Sequence, residues 1–156
     1  MIDVSAVDLE ELAMALADQV AYGHRWLIDP DSGEISFWTE DGGVDGEHPV
    51  DLDEVDLLAI DPLPSYVWYR DMEDFAEGIS DERAGRRLAR AIGGKGAFRR
   101  FKDALLEGRP ELLSAWHAFS DARGRRRAVD WLVANGIVSE DQGLTFRSEY
   151  PEPALP

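Results

Sequence analysis

Residues 24–40, HRWLIDPDSGEISFWTE, decide the fold class. Trp26, Ile28, Ile35 and Phe37 alternate with polar neighbours on either side of a turn rich in Pro, Asp, Ser and Gly. That period of two predicts strands at residues 24–28 and 34–39 joined as a β-hairpin. Toward the N-terminus, Leu9, Leu12, Ala13 and Leu16 fall at i, i+3, i+4 and i+7, with Asp8, Glu10, Glu11 and Asp18 mostly on other faces. This spacing, with acid in the first turn, predicts an amphipathic helix over residues 7–20. Beyond the hairpin, residues 40–56 hold eight acids, three glycines and no Lys or Arg, the composition of a solvated loop. LLAI at residues 57–60 offers a third strand before Pro62 and Pro64 interrupt pairing.

The second half carries the helical period instead. Ser65 can cap a helix through about Ile79 that turns Trp68, Met72, Phe75 and Ile79 inward. A second helix begins at Ser80 or Asp81, buries Leu88 and Ile92, directs Arg83, Arg86, Arg87 and Arg90 outward, and stops at Gly93-Gly94. A third, residues 96–107, is expected to bury Phe98, Phe101 and Leu105 while Arg99, Arg100 and Lys102 point away. Pro110 suits the first turn of a fourth, with Leu112, Leu113, Trp116 and Phe119 inside and a break near Gly124. The segment to Asn135 then turns Ala128, Trp131 and Leu132 inward and ends at Gly136, with LTF at residues 144–146 as a short edge strand. The expected architecture is α+β: an N-terminal helix, a small antiparallel sheet of two to four strands, and a C-terminal group of four to five helices packed on it. A single domain over residues 1–150 is expected, with an acidic helix-plus-sheet part at 1–64 and a helical part at 65–137. The proline-rich tail 151–156 is expected to be loosely held.

Charge divides the chain sharply. Residues 1–80 carry 21 acidic and 2 basic side chains, and residues 81–156 carry 11 and 14, within a net charge of −16. The long-range field therefore repels nucleic acid and anionic membranes, and favours cationic ligands or basic protein surfaces. The absence of cysteine excludes disulfides, thiolate metal sites and cysteine nucleophiles. MIDVSAVDLEELAMALAD has no basic start or apolar segment of signal-peptide type, and no run approaches the roughly 18–20 apolar residues of a span, so a cytoplasmic protein is expected. Arginine outnumbers lysine 14 to 2, which reads first as codon bias.

MEDF (72–75), GKGAFRRFKDAL (94–105), WHAF (116–119) and AVDWLVANGI (128–137) resemble a family of bacterial hypothetical proteins, uncharacterised protein family one-fifty-eight. The resemblance runs from the DPDSGE turn to Ile137, and GAFRRFKD is its most specific part. It implies no particular activity, substrate or cofactor. The chain departs from the family's usual pattern in WHAF, where a tyrosine commonly follows the tryptophan, and in a shorter acidic loop.

Individual motifs narrow the chemistry further. GGKG at 93–96 lacks the spacing and the Lys-Ser or Lys-Thr end of a P-loop and follows a helix, so it reads as a helix-to-helix turn. DPDSGE alternates carboxylates like a calcium loop, but Gly33 is misplaced and strand residues follow. His24, His48 and His117 match no HExxH spacing, and no GxSxG elbow is present. No catalytic, cofactor or metal residue is assigned. The five tryptophans are expected mostly in the core, with Trp38 at a strand end the best candidate for an exposed contact. Two interaction faces stand out. The basic one comprises Lys95, Arg99, Arg100 and Lys102 with Arg125, Arg126 and Arg127; the acidic one comprises Trp38, Asp51, Asp53 and Glu54. The expected function is non-catalytic binding or regulation through a protein partner or self-association. Nucleic-acid binding by the basic face is the alternative, and an enzyme with an unrecognised pocket is a third reading.

Overall fold

Alternating and helical periods both appear where the hydrophobic spacing requires them. The computed structural model describes residues 1–19 and 23–156 and is α+β. Its elements are α1 (Leu9–Ala17), β1 (His24–Ile28), β2 (Ile35–Thr39), β3 (Leu58–Ile60), α2 (Tyr66–Gly78), α3 (Glu82–Ile92), α4 (Ala97–Gly108), α5 (Leu112–Ala134) and α6 (Glu140–Glu149). Residue 20, the end of the expected first helix, lies outside the described residues.

By its internal packing the chain falls into two compact units. The first comprises Met1–Pro64 and Gly124–Tyr150; the second comprises Ser65–Arg123 and Pro151–Pro156. The break after residue 64 coincides with the switch from acidic, strand-forming sequence to helical sequence.

In the first unit the strands form an antiparallel sheet of order β2-β1-β3. Trp26 stands opposite Phe37 on one side and Ile60 on the other, and Ile28 stands opposite Ile35 and Leu58. One sheet face thus supplies Ile28 and Ile60 to a core shared with Leu12 and Leu16 of α1 and with Ala128 and Leu132 of α5. Asp8 caps α1 by accepting from the N–H groups of Glu10 and Glu11, each at 3.1 Å. At the start of β1, the Asp18 carboxylate accepts from the Trp26 indole at 2.8 Å and pairs with His24 at 2.9 Å.

The second unit is built around an aromatic cluster. Phe101 and Trp116 meet edge to face at 4.8 Å, and Phe75 packs against Trp116 at 5.4 Å and Phe119 at 5.7 Å. Met72, Leu88, Ile92 and Leu105 complete this core. At its edge Arg123 donates to Asp71 (3.1 Å), Asp74 (2.6 Å) and Glu152 (2.9 Å), and lies 4.5 Å over the Phe119 ring. Burial alone would lower the Arg123 pKa; its hydrogen bonds to the Asp74, Asp71 and Glu152 carboxylates outweigh this and raise the pKa.

Five expectations are corrected by this arrangement. Phe98 is 45% exposed, because the buried stripe of α4 runs Ala97, Phe101, Leu105 at i+4 steps and leaves Phe98 at its margin. No break occurs at Gly124: one glycine costs a helix about 1 kcal/mol relative to alanine, and helix formers on both sides carry α5 through it. LTF is helical, not a strand, since the Ser139 hydroxyl caps α6 at the Gln142 N–H and acids occupy the first turn. Of the tryptophans only Trp116 is buried; Trp26, Trp38, Trp68 and Trp131 are half-buried. The tail is anchored, with the Ser80 N–H donating to the Pro156 carbonyl at 2.8 Å, Leu155 packed on the aromatic core and Glu152 held by Arg123.

Candidate interaction surfaces

The acidic loop is ordered by its own backbone. Thr39 and Gly43 exchange two hydrogen bonds, and the Trp38 indole donates to the Val50 carbonyl at 2.8 Å, fastening the far end of the loop to β2. Gly43 sits at φ +61°, and a Cβ there would lie 2.1 Å from the His48 carbonyl oxygen, so only glycine permits this close return. Asp45 turns the tip by accepting from the N–H groups of Glu47 and His48 and from the His48 ring. The Glu47 N–H, then the His48 ring and N–H, hold the Asp45 carboxyl down to about 2.

All eight carboxylates of residues 40–56 are exposed, including Asp51, Asp53 and Glu54. Among the described residues only Asp45 has a side-chain ion pair, with His48 at 2.6 Å. The first unit holds 21 acidic and 5 basic side chains and the second 11 of each, so the net charge of the chain belongs wholly to the first.

The basic residues are divided between the units. Lys95, Arg99, Arg100 and Lys102 lie in the second, on α4 and the turn before it, where Gly94 and Gly96 take left-handed conformations. Arg100 is tied down, its Nε donating to the Ala91 carbonyl at 3.0 Å. Lys95, Arg99 and Lys102 are exposed without a partner among the described residues. Beside them the Phe98 ring rests on Tyr69 with centroids 5.2 Å apart, and Arg70 lies 5.7 Å over the exposed Tyr66 ring. Arg125, Arg126 and Arg127 belong to the first unit and are half-buried. Arg126 donates to the carbonyls of Tyr150 (3.0 Å) and Arg147 (3.4 Å), a local anchor for the end of α6, and Arg127 has an interaction of its own.

His24 and His48 each pair with an aspartate, but among the described residues no hydroxyl hydrogen-bonds to either ring, and His117 is exposed. No group of three or more His, Asp or Glu among the described residues is placed to hold a metal ion, and no described helix is long and apolar enough to cross a membrane. Sequence reasoning missed the exposed Phe98 ring and its contact with the half-buried Tyr69. Its signal was the i+4 run from Ala97, which competes with the run from Phe98 and excludes it from the core.

Residues 7–149 match the model of an uncharacterised protein family, UPF0158. The UPF0158 protein PA5073 of Pseudomonas aeruginosa is 34% identical over 134 residues, which cover 84% of each chain. No solved structure matches.

Proposed function

The chain belongs to the UPF0158 family, and from that premise we propose that it is a cytoplasmic, non-catalytic binding or regulatory protein that recognises a basic protein partner. One observation carries this reading: the loop of residues 40–56 is held in shape while its carboxylates, Asp45 apart, have no internal cation. A preorganised anionic surface steers and selects a cationic partner without the cost of ordering the loop on contact. Trp38 acts from beneath by fastening the loop, so Asp51, Asp53 and Glu54 are the contact residues. The test is affinity capture from lysate of the producing cells at near-physiological salt, comparing the native chain with Asp51→Asn/Asp53→Asn/Glu54→Gln. A protein retained by the native chain and lost with the triple variant is expected; identical captured sets would remove the reading.

Phe98 supports a second reading. Its exposed ring on Tyr69, next to Lys95, Arg99 and Lys102, combines a stacking surface with phosphate-binding charge, the pairing used for single-stranded nucleic acid. Fluorescence anisotropy of labelled single-stranded RNA and duplex DNA at low and near-physiological salt decides it. Saturable binding with a steep salt slope, abolished by Arg99→Glu/Lys102→Glu, favours nucleic acid; no binding at low salt retires it.

A further inference from the structure

A cleft of about 540 Å³ opens in the second unit between α3, α4 and the start of α5. Its apolar lining is Ala84 and Ala104, both half-buried, lying over Leu88, Leu105 and Leu112, which are buried. Its rim is arginine. Arg83, Arg87 and Arg90 fall at i, i+4 and i+7 on α3, so one helical face presents all three, and Arg109 approaches from the end of α4. Four guanidiniums thus line the cleft with a single carboxylate, Asp81.

Asp81 is already engaged, capping α3 by accepting from the Ala84 N–H at 3.0 Å and accepting from Arg109. Arg109 also reaches Glu111. Arg87 stands 3.6 Å from Glu107, too far for a hydrogen bond, and its guanidinium lies where a side chain at Gly108 would intrude, a Cβ there falling 3.2 Å from Arg87 Nη1. Arg83 and Arg90 are exposed and have no partner among the described residues. Like charges four residues apart on a helix repel, at about 0.2–0.5 kcal/mol per pair. Here they converge on a concavity of the size small-molecule sites have.

We propose that this cleft binds a small organic phosphate, a phosphomonoester whose compact apolar body lies on the floor made by Ala84 and Ala104. Guanidinium forks match phosphate oxygens bidentately, and a dianion answers the two unengaged arginines, Arg83 and Arg90. The apolar floor favours an ester over inorganic phosphate. This site is independent of the acidic loop and of the reading built on it.

The test is titration calorimetry of the full chain at low ionic strength with phenyl phosphate and, separately, inorganic phosphate. One saturable site for phenyl phosphate is expected, with Arg83→Ala and Arg90→Ala each weakening it about tenfold or more and Arg86→Ala, on α3 but outside the cleft lining, leaving it unchanged. Inorganic phosphate should bind about tenfold more weakly, having no body to place on Ala84 and Ala104. No saturable heat, or binding indifferent to both arginine substitutions, overturns the site; equal affinity for the two probes overturns the organic ligand class. Both arginines are exposed, so unchanged circular dichroism and melting of the variants separate lost binding from lost folding.

Discussion

Replacing Arg123 tests how the second unit is closed. Its guanidinium faces three carboxylates of unequal burial: the Asp71 side chain is 4% exposed, those of Asp74 and Glu152 both 39%. Removing one partner of a fully buried pair costs about 3–5 kcal/mol. Arg123 is itself 21% exposed and Asp71 has a further interaction, so the loss at Asp71 should be about 2 kcal/mol. The two exposed pairs add at most about 0.5 kcal/mol together, and the Phe119 contact about 0.5 kcal/mol. Arg123→Met, which keeps the aliphatic stem, should therefore cost about 3 kcal/mol. For a chain of this length that lowers the melting midpoint by about 6–12 °C. Circular dichroism melts of Arg123→Met, Asp71→Asn and the double variant supply a cycle whose coupling should exceed about 1 kcal/mol. Additivity within about 0.5 kcal/mol would show that the pair is geometric only, and the reasoning would fail.

Three further outcomes follow from the same geometry. Phe101→Ala should cost about 3–5 kcal/mol in urea unfolding, as for a buried aromatic, while Phe98→Ala costs under about 1 kcal/mol; equal costs would contradict the placement of Phe98 at the margin of the core. Gly43→Ala should destabilise the loop by about 1–3 kcal/mol, since it adds both a left-handed non-glycine residue and a clash with the His48 carbonyl. An unchanged hydrogen-exchange rate at the Trp38 indole would refute that. Asp45 titrates at about 2 when folded against 3.8 for a free side chain, so its contribution to loop order is complete above about 3.8 and lost as pH falls through about 2. Carboxyl-detected NMR should find that low midpoint, and His48→Ala should raise it; a midpoint near 3.8 in the native chain would rule out the hydrogen-bonded tip.

Much of the fold was legible because its signals are local. The hairpin follows from alternation around DPDSGE, β3 from a short apolar run before two prolines, and α2, α3 and α4 from helical spacing between glycines. The failures occurred where two local signals compete. Gly124 looks like a stop until the helix formers beside it are counted, and LTF looks extended until Ser139 and Gln142 are read as a cap. The acidic surface was visible in composition, and the exposure of Asp51, Asp53 and Glu54 agrees with it. Tertiary pairing was not. The engagement of Arg126 with the end of α6, of Arg123 with residues about 50 and 30 positions away, and of the tail with Ser80 depends on contacts that no window of sequence contains.

The interleaved order of the two units bears on how the chain is made. The first unit's core needs Ala128, Leu132, Ile137 and Val138, so its N-terminal 64 residues leave the ribosome with Leu12, Leu16, Ile28 and Ile60 still lacking those neighbours. Residues 65–123 leave the ribosome with nearly all of their own core and can collapse during synthesis, while the earlier segment must wait. The waiting segment is also the one dense in carboxylates, whose mutual repulsion keeps an unfinished hairpin from pairing with the strands of other nascent chains. Acidity in this half thus works against strand pairing during the interval that the order of translation imposes.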